Sequence, residues 1–324
     1  MSHADGLASA QERQWEHTPV LLEEVLQWLA PRPNARLIDA TVGLGGHARR
    51  LLESSAPDGR LLALDADPRA LELARQNLAP FGQRVTFVHG RHVDLGRLAE
   101  EAGFTACDGI LFDLGVSSLQ LDDARRGFSF REAGPLDMRM DPTGALTADA
   151  VVNDWSEEDL ARVIAEYGEE RYARRVARFI VRERPVADTA HLAAIVARAV
   201  RTSGTIHPAT RTFQGIRIAV NSELSSLEQA LPQALQLLVP GGSLAVISFH
   251  SLEDRIVKRW MTREAEGCIC PPRVLVCECG HTAQLERPFK RPVMAGSAEV
   301  ARNPRSRSAR LRVARRLPVS EAQV

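Results

Sequence analysis

Lysine is almost missing from this chain. Lys258 and Lys290 are the only two in 324 residues, and arginine supplies the rest of the 41 basic side chains. They are matched by 41 acids, so the formal net charge is zero and no global field marks a nucleic-acid binder. No apolar run reaches the roughly 18 residues a membrane span needs. Residues 1–16 lack the charged start and apolar stretch of a secretory signal. These absences predict a cytoplasmic protein without a membrane partner. Cysteine is scarce at five residues, which in that setting favours thiols or metal ligands over a disulfide frame. What remains is ordinary for a globular chain, with 44% hydrophobic and 25% charged residues. The length allows one large domain or two modest ones, each with its own core.

The most informative stretch is Arg36-Leu-Ile-Asp-Ala-Thr-Val-Gly-Leu-Gly-Gly-His-Ala48. An apolar start runs into Asp39, then a glycine loop (Gly43, Gly45, Gly46), then a helix-compatible segment from His47 to Glu53. Glycine permits close approach to bare backbone and the positive φ angles of such a turn. Asp65 follows Gly45 by 20 positions, at the end of the next apolar run. A carboxylate there can accept both ribose hydroxyls of an adenosine. Loop and acid together predict an adenosine-containing cofactor without choosing between NAD and S-adenosylmethionine.

Strands are predicted at about 36–40, 60–65, 85–89 and 109–114, alternating with helices at 46–54, 68–78 and 95–102. A first helix starts at His17-Thr18-Pro19 and carries Val20, Leu21, Leu22, Val25, Leu26 and Leu29. The alternation predicts a doubly wound parallel α/β sheet. It stops at Gly127. From there to about Pro208 only helices are predicted, one of them capped by Ser156 with acids in its first turn. A helix over 212–238, a turn at Pro240-Gly241-Gly242 and a fifth strand over 243–249 resume the sheet, and 308–313 reads as an antiparallel edge strand. The predicted organisation is a flexible tail (1–16), the first part of a Rossmann-like domain (17–126), an all-helical insert for substrate recognition (127–210) and the second part of the domain (211–324). The last part contains a cysteine loop (268–281) and a basic C-terminal segment. That segment has seven arginines and no acid between Val300 and Ser320, which suits phosphates or a solvated tail.

Asp113-Leu-Gly-Val-Ser-Ser118 sits at the carboxyl end of the fourth predicted strand, the edge at which ligands of such sheets bind. Amino-group methyltransferases place an Asp, Asn or Ser there. The lone pair of an exocyclic base amine is delocalised into the ring, and an acceptor on its N–H helps to localise it toward the methyl group. The usual motif continues with two prolines and an aromatic ring, whereas this chain has Leu114-Gly115-Val116. The candidate catalytic residues are therefore Asp113, Ser117 and Ser118.

Longer blocks carry a resemblance. They are His17-Thr-Pro-Val-Leu-Leu-Glu-Glu, Asp39-Ala-Thr-Val-Gly-Leu-Gly-Gly-His47, Asp113 through Phe130, Pro135-Leu-Asp-Met-Arg-Met-Asp-Pro142, His207-Pro-Ala-Thr-Arg-Thr-Phe-Gln214, Arg217-Ile-Ala-Val-Asn-Ser-Glu-Leu224, Ser248-Phe-His-Ser-Leu-Glu-Asp-Arg255 and Asn303-Pro-Arg-Ser-Arg-Ser308. Together they resemble the bacterial small-subunit (16S) ribosomal RNA cytosine-N4-methyltransferase family (MraW-like), from about residue 17 to 316. The resemblance implies a class I methyltransferase sheet, S-adenosylmethionine as methyl donor, and a cytidine of the decoding region as acceptor. The implied partner is small-subunit ribosomal RNA or the assembled small subunit, with a homodimer left open. The implied donor contacts are Gly45, Gly46, His47, Asp65, Asp113 and Gln120, with His92 where the family commonly has Phe. Phe128 and Phe130 are candidates for stacking on an extruded base, with packing of the insert as the alternative. Arg211, Arg217 and Asn221, together with His207, are candidates for RNA or base contacts, with helix salt bridges and caps as the alternative. An NAD-dependent dehydrogenase, or a non-catalytic ribosome-assembly RNA-binding protein, would be the rival readings.

Cys268-Ile-Cys270 and Cys277-Glu-Cys279 leave six residues between the pairs, with His281 nearby. Four thiols can hold zinc, but structural sites usually place two to four residues within each pair. The spacing therefore favours no metal, and a zinc ion there would pin a surface loop and take no part in catalysis. Cys107 reads as a buried apolar filler.

Overall fold

The computed structural model describes residues 19–200, 206–271, 274 and 276–318. The expected tail (1–16) and the His17-Thr18 start lie outside them. In chain order the elements are α1 (Leu22–Leu29), β1 (Arg36–Asp39), α2 (Gly46–Ser54), β2 (Arg60–Asp65), α3 (Pro68–Asn77), β3 (Val85–His89), α4 (Leu95–Glu101) and β4 (Cys107–Asp113). Then come, among the described residues, the helices α5 (Ser118–Asp122), α6 (Ala148–Asn153), α7 (Glu157–Glu166), α8 (Ala173–Arg182), α9 (Thr189–Val200), α10 (Ala209–Asn221) and α11 (Glu223–Leu237). The chain closes with β5 (Leu238–Ser248), α12 (Ser251–Glu264), β6 (Leu285–Glu286), β7 (Val293–Met294), α13 (Ser297–Arg302) and β8 (Arg310–Arg316). Among the described residues no helix is long and apolar enough to cross a membrane.

The chain divides into two compact units. Among the described residues, the first takes those within 1–65, 69–114 and 230–324, and the second those within 66–68 and 115–229. The helical unit is thus wider than the 127–210 read from the sequence. It takes in α10, whose Phe213 and Ile216 join the core made by Val151, Leu160, Val176 and Ile195.

In the first unit the sheet order is β3-β2-β1-β4-β5-β8-β6, with β7 also on β8. β1 to β5 pair in parallel, Asp39 lying opposite Leu111 and Ala63, and Asp113 opposite Ile247. This is a Rossmann-like sheet. Leu37, Leu61, Leu111 and Ile247 pack on Val25, Leu51, Leu52 and Leu71 in one apolar cluster. Cys107 is fully buried, as expected of a filler.

The predicted edge strand is found antiparallel to β5, but it is interior, because β6 and β7 pair with its other side. Part of the arginine run is therefore neither tail nor phosphate surface. Arg312 is buried, and its Nε and Nη2 donate to Asp254 of α12 at 2.7 and 3.2 Å. Arg310 joins the same carboxylate at 3.1 Å, and Arg316 donates to the Leu238 carbonyl. The helix expected over 212–238 is two helices, broken at Ser222, which adopts a left-handed conformation at φ 51°.

Candidate functional site

In the first unit, acids gather at the carboxyl rim of the sheet because β1, β2 and β4 each end in one: Asp39, Asp65 and Asp113. The glycine loop turns between them. Gly43 and Gly45 have φ of +52° and +85°, a conformation in which a side chain is strained. Gly46 is required for a different reason, since a Cβ there would meet Pro19 Cγ at 2.5 Å. The Gly43 N–H donates to Asp65 Oδ2 at 2.8 Å, so one oxygen of the expected ribose acceptor already anchors the loop. Thr41 Oγ1 accepts the Asp113 N–H at 2.6 Å and ties the loop to β4.

Asp113 Oδ1 is buried and has no hydrogen-bond partner among the described residues. Its other oxygen, Oδ2, lies 3.5 Å from His47 Nδ1. His47 Nε2 lies 3.0 Å from the Val20 carbonyl oxygen. A carbonyl only accepts, so Nε2 carries the hydrogen and Nδ1 faces the carboxyl group. Burial pushes the Asp113 carboxyl well above the usual range, and Asp39 and then Glu253 push it the same way. Asp39 is itself raised to about 7, by burial first, with the Thr41 N–H pulling down and Asp65 pushing up. Glu253 caps the β5–α12 turn, its Oε2 accepting the N–H groups of Phe249 and His250 at 2.9 and 3.2 Å. Asp39, Thr41 and Glu253 were not singled out from the sequence as site residues. A strand-terminal acid and a capping-box glutamate were the signals available for two of them.

His92 lies edge-on to Phe112 at 5.9 Å, with Nε2 buried and unpartnered among the described residues. Burial, and next the Arg91 charge, lower its pKa to about 4, so the ring is neutral. The first unit thus brings together Gly43, Gly45, Gly46, His47, Asp65, His92 and Asp113.

Ser117, Ser118 and Gln120 belong to the second unit. Ser117 is the N-cap of α5, in a capping box with Gln120. Gln120 is buried, and its Nε2 donates to Asp67 Oδ2 at 3.1 Å. Arg126 Nη1 donates to the same oxygen at 2.6 Å. Ser118 opens the helix.

Phe128 corrects one expectation, because it is buried in the helical core and presents no open face to a base. Phe130 is half-buried, 4.6 Å from the exposed His207 ring and 4.8 Å from Phe213. Arg211 is exposed. Arg217 instead forms a two-pronged ion pair with Glu223, both bonds 2.8 Å long. Asn221 accepts the Met140 N–H at 2.7 Å and donates to the Met138 carbonyl at 2.7 Å. These two fit the salt-bridge and packing alternative. Asn221→Ala is expected to cost about 2 kcal/mol by stranding that loop backbone, read as a lower thermal midpoint with the methyl-donor affinity unchanged.

A profile of the MraW methylase family matches residues 14–317. A protein of Symbiobacterium thermophilum named ribosomal RNA small subunit methyltransferase H is 53% identical over 315 residues, covering 95% of this chain and 98% of its own. A Thermomicrobium roseum protein of the same name is 53% identical over 321 residues, covering 98% of each. A third, from Geobacter sulfurreducens, is 52% identical over 309 residues, covering 94% and 99%.

Proposed function

Because the chain belongs to the MraW methylase family over nearly its whole length, we propose that it methylates the exocyclic N4 amine of a cytidine in the decoding region of small-subunit ribosomal RNA. It is a methyltransferase, and S-adenosylmethionine is its methyl donor. The family removes the dehydrogenase alternative.

The residues at the rim fit that donor. The loop has no Cβ at Gly43 or Gly45, and the His92 ring is neutral and flat and so suits stacking on adenine. Asp39 and Glu253 lie close enough to Asp113 to raise its carboxyl, a concentration of acid that suits a positive charge. Gly45, Gly46, His47, Asp65 and His92 of the first unit would hold it. When bound, the donor supplies a methyl carbon made electrophilic by a sulfonium.

The observation that carries the acceptor assignment is the buried Asp113 Oδ1, which has no partner among the described residues. As a carboxylate it accepts one N–H of the amine and draws the nitrogen lone pair out of the ring. Asp113 would take the proton that the amine sheds on methylation. His47 Nδ1, 3.5 Å from Oδ2, is the next acceptor. Ser117 and Ser118, four and five residues further along the chain, belong to the same sequence motif and remain the other candidates for the chemistry. Phe130 and Arg211 of the helical unit are assigned to RNA.

The test is to incubate small ribosomal subunits, and separately free RNA, with labelled donor, then digest to nucleosides and map the label. N4-methylcytidine at one position supports the reading. Label on a carbon, on ribose or on another base refutes the N4 assignment. RNA binding without donor-dependent label would make the protein a non-catalytic assembly factor.

A further inference from the structure

The four cysteines left aside by this chemistry converge. Cys268 Sγ lies 3.4 Å from Cys277 Sγ and 3.8 Å from Cys279 Sγ. Cys277 Sγ lies 3.5 Å from Cys279 Sγ and 4.0 Å from Cys270 Sγ. All four sulfurs fall within 4.8 Å of one another. A tetrahedral zinc with bonds of about 2.3 Å places its sulfurs roughly 3.8 Å apart, close to the separations here. The one-residue spacing within each pair, which argued against a metal in the sequence, does not prevent the four sulfurs from forming the corners of such a figure.

Two further observations point the same way. The Cys270 N–H donates to Cys268 Sγ at 3.4 Å and the Ile269 N–H to Cys279 Sγ at 3.5 Å. Backbone donors aimed at sulfur stabilise thiolates, the form that binds metal. In addition, none of the described residues from 265 to 284 is buried, and Val276 is 71% exposed. No apolar core among them holds this loop in shape. Its base is tied by the Gln284 N–H to the Glu264 carbonyl at 2.8 Å and by His281 Nε2 to the Arg263 carbonyl at 2.9 Å. The group of ligand atoms that converges is the four thiols and does not include His281, which leaves the four cysteines as the donor set.

We propose that Cys268, Cys270, Cys277 and Cys279 form a tetrathiolate site for one zinc ion, which closes the loop between α12 and β6. The site has no open coordination position, so it is structural and separate from methyl transfer. Binding replaces the thiol protons with metal and changes no oxidation state.

The test uses the full chain purified under reducing conditions without chelator. Elemental analysis should find about one zinc per chain, falling to near zero in the variant with all four cysteines changed to serine. Replacement by cobalt(II) should give the visible absorption of a tetrahedral thiolate complex. A strong chelator should release the zinc and make four thiols reactive, and it should open 265–284 to protease while donor binding persists. This chelator arm holds even if the variant folds poorly. Protein that takes up no zinc or cobalt, or in which mass spectrometry finds the four cysteines joined as disulfides, overturns the proposal.

Discussion

Asp113→Ala is expected to slow methyl transfer by roughly 100- to 1,000-fold, the effect of removing one preorganised partner of the reacting group. Single-turnover rates with labelled donor measure it. The variant removes the acceptor for the amine proton; Oδ1 has no partner among the described residues to lose, and Oδ2 gives up its 3.5 Å approach to His47 Nδ1. Stability supplies a control. A carboxyl group raised by burial is tolerated when protonated and costs stability as pH rises through the ordinary carboxylate range toward its folded pKa. Asp113→Asn should therefore be at least as stable as the wild type, by a margin that widens with pH. The wild-type rate should climb as the carboxylate forms, near the raised folded pKa, and that rise should vanish in Asp113→Asn. A rate within threefold of the wild type in Asp113→Ala would rule out the assigned role.

Asp254→Ala is expected to cost about 3–5 kcal/mol, because it leaves a buried guanidinium without its counter-ion. Arg312 is 8% exposed and Asp254 is equally buried. The pair joins α12 to β8, and Arg310 shares the carboxylate. Burial pushes the Asp254 carboxyl up, but hydrogen bonds and charge from Arg312 and Arg310 win and hold it below its ordinary value. Its contribution is therefore complete above the ordinary carboxylate range and is lost only as pH falls through the lowered value. Thermal unfolding of wild type and variant across pH checks both magnitude and direction. The exposed Arg97–Glu101 pair is the control, and Glu101→Ala should leave the midpoint where it was.

Much of this was legible in the sequence because the signals were local. The parallel strands announce themselves as apolar runs ending in acids, and Ser156 caps α7 as its residue type predicts. The rim acids follow from that same pattern, since the residue that ends a strand lands at the binding edge. Three things were not legible, each for a physical reason. The break at Ser222 carries no glycine or proline, and apolar spacing continues across it, so periodicity alone sees one helix. Arg312 looked like part of a solvated charge run because its partner lies 58 residues away and only the pairing of β8 with β5 brings the two together. That position 46 has no room for a side chain because of Pro19 was not legible either, since the contact depends on the turn entering α1.

The helical unit interrupts the sheet between two strands that touch. β4 ends at Asp113 and its neighbour β5 begins at Leu238. A nascent chain that tried to join them first would have to close a loop of more than about a hundred residues, and each doubling of loop length adds about 0.6 kcal/mol of entropy cost. If the intervening helices collapse first, guided by their mostly neighbouring contacts, the distance to be searched shrinks to a short tether. The segment between the strands then acts as a splint during assembly, and its helices should gain protection from hydrogen exchange before β5 does.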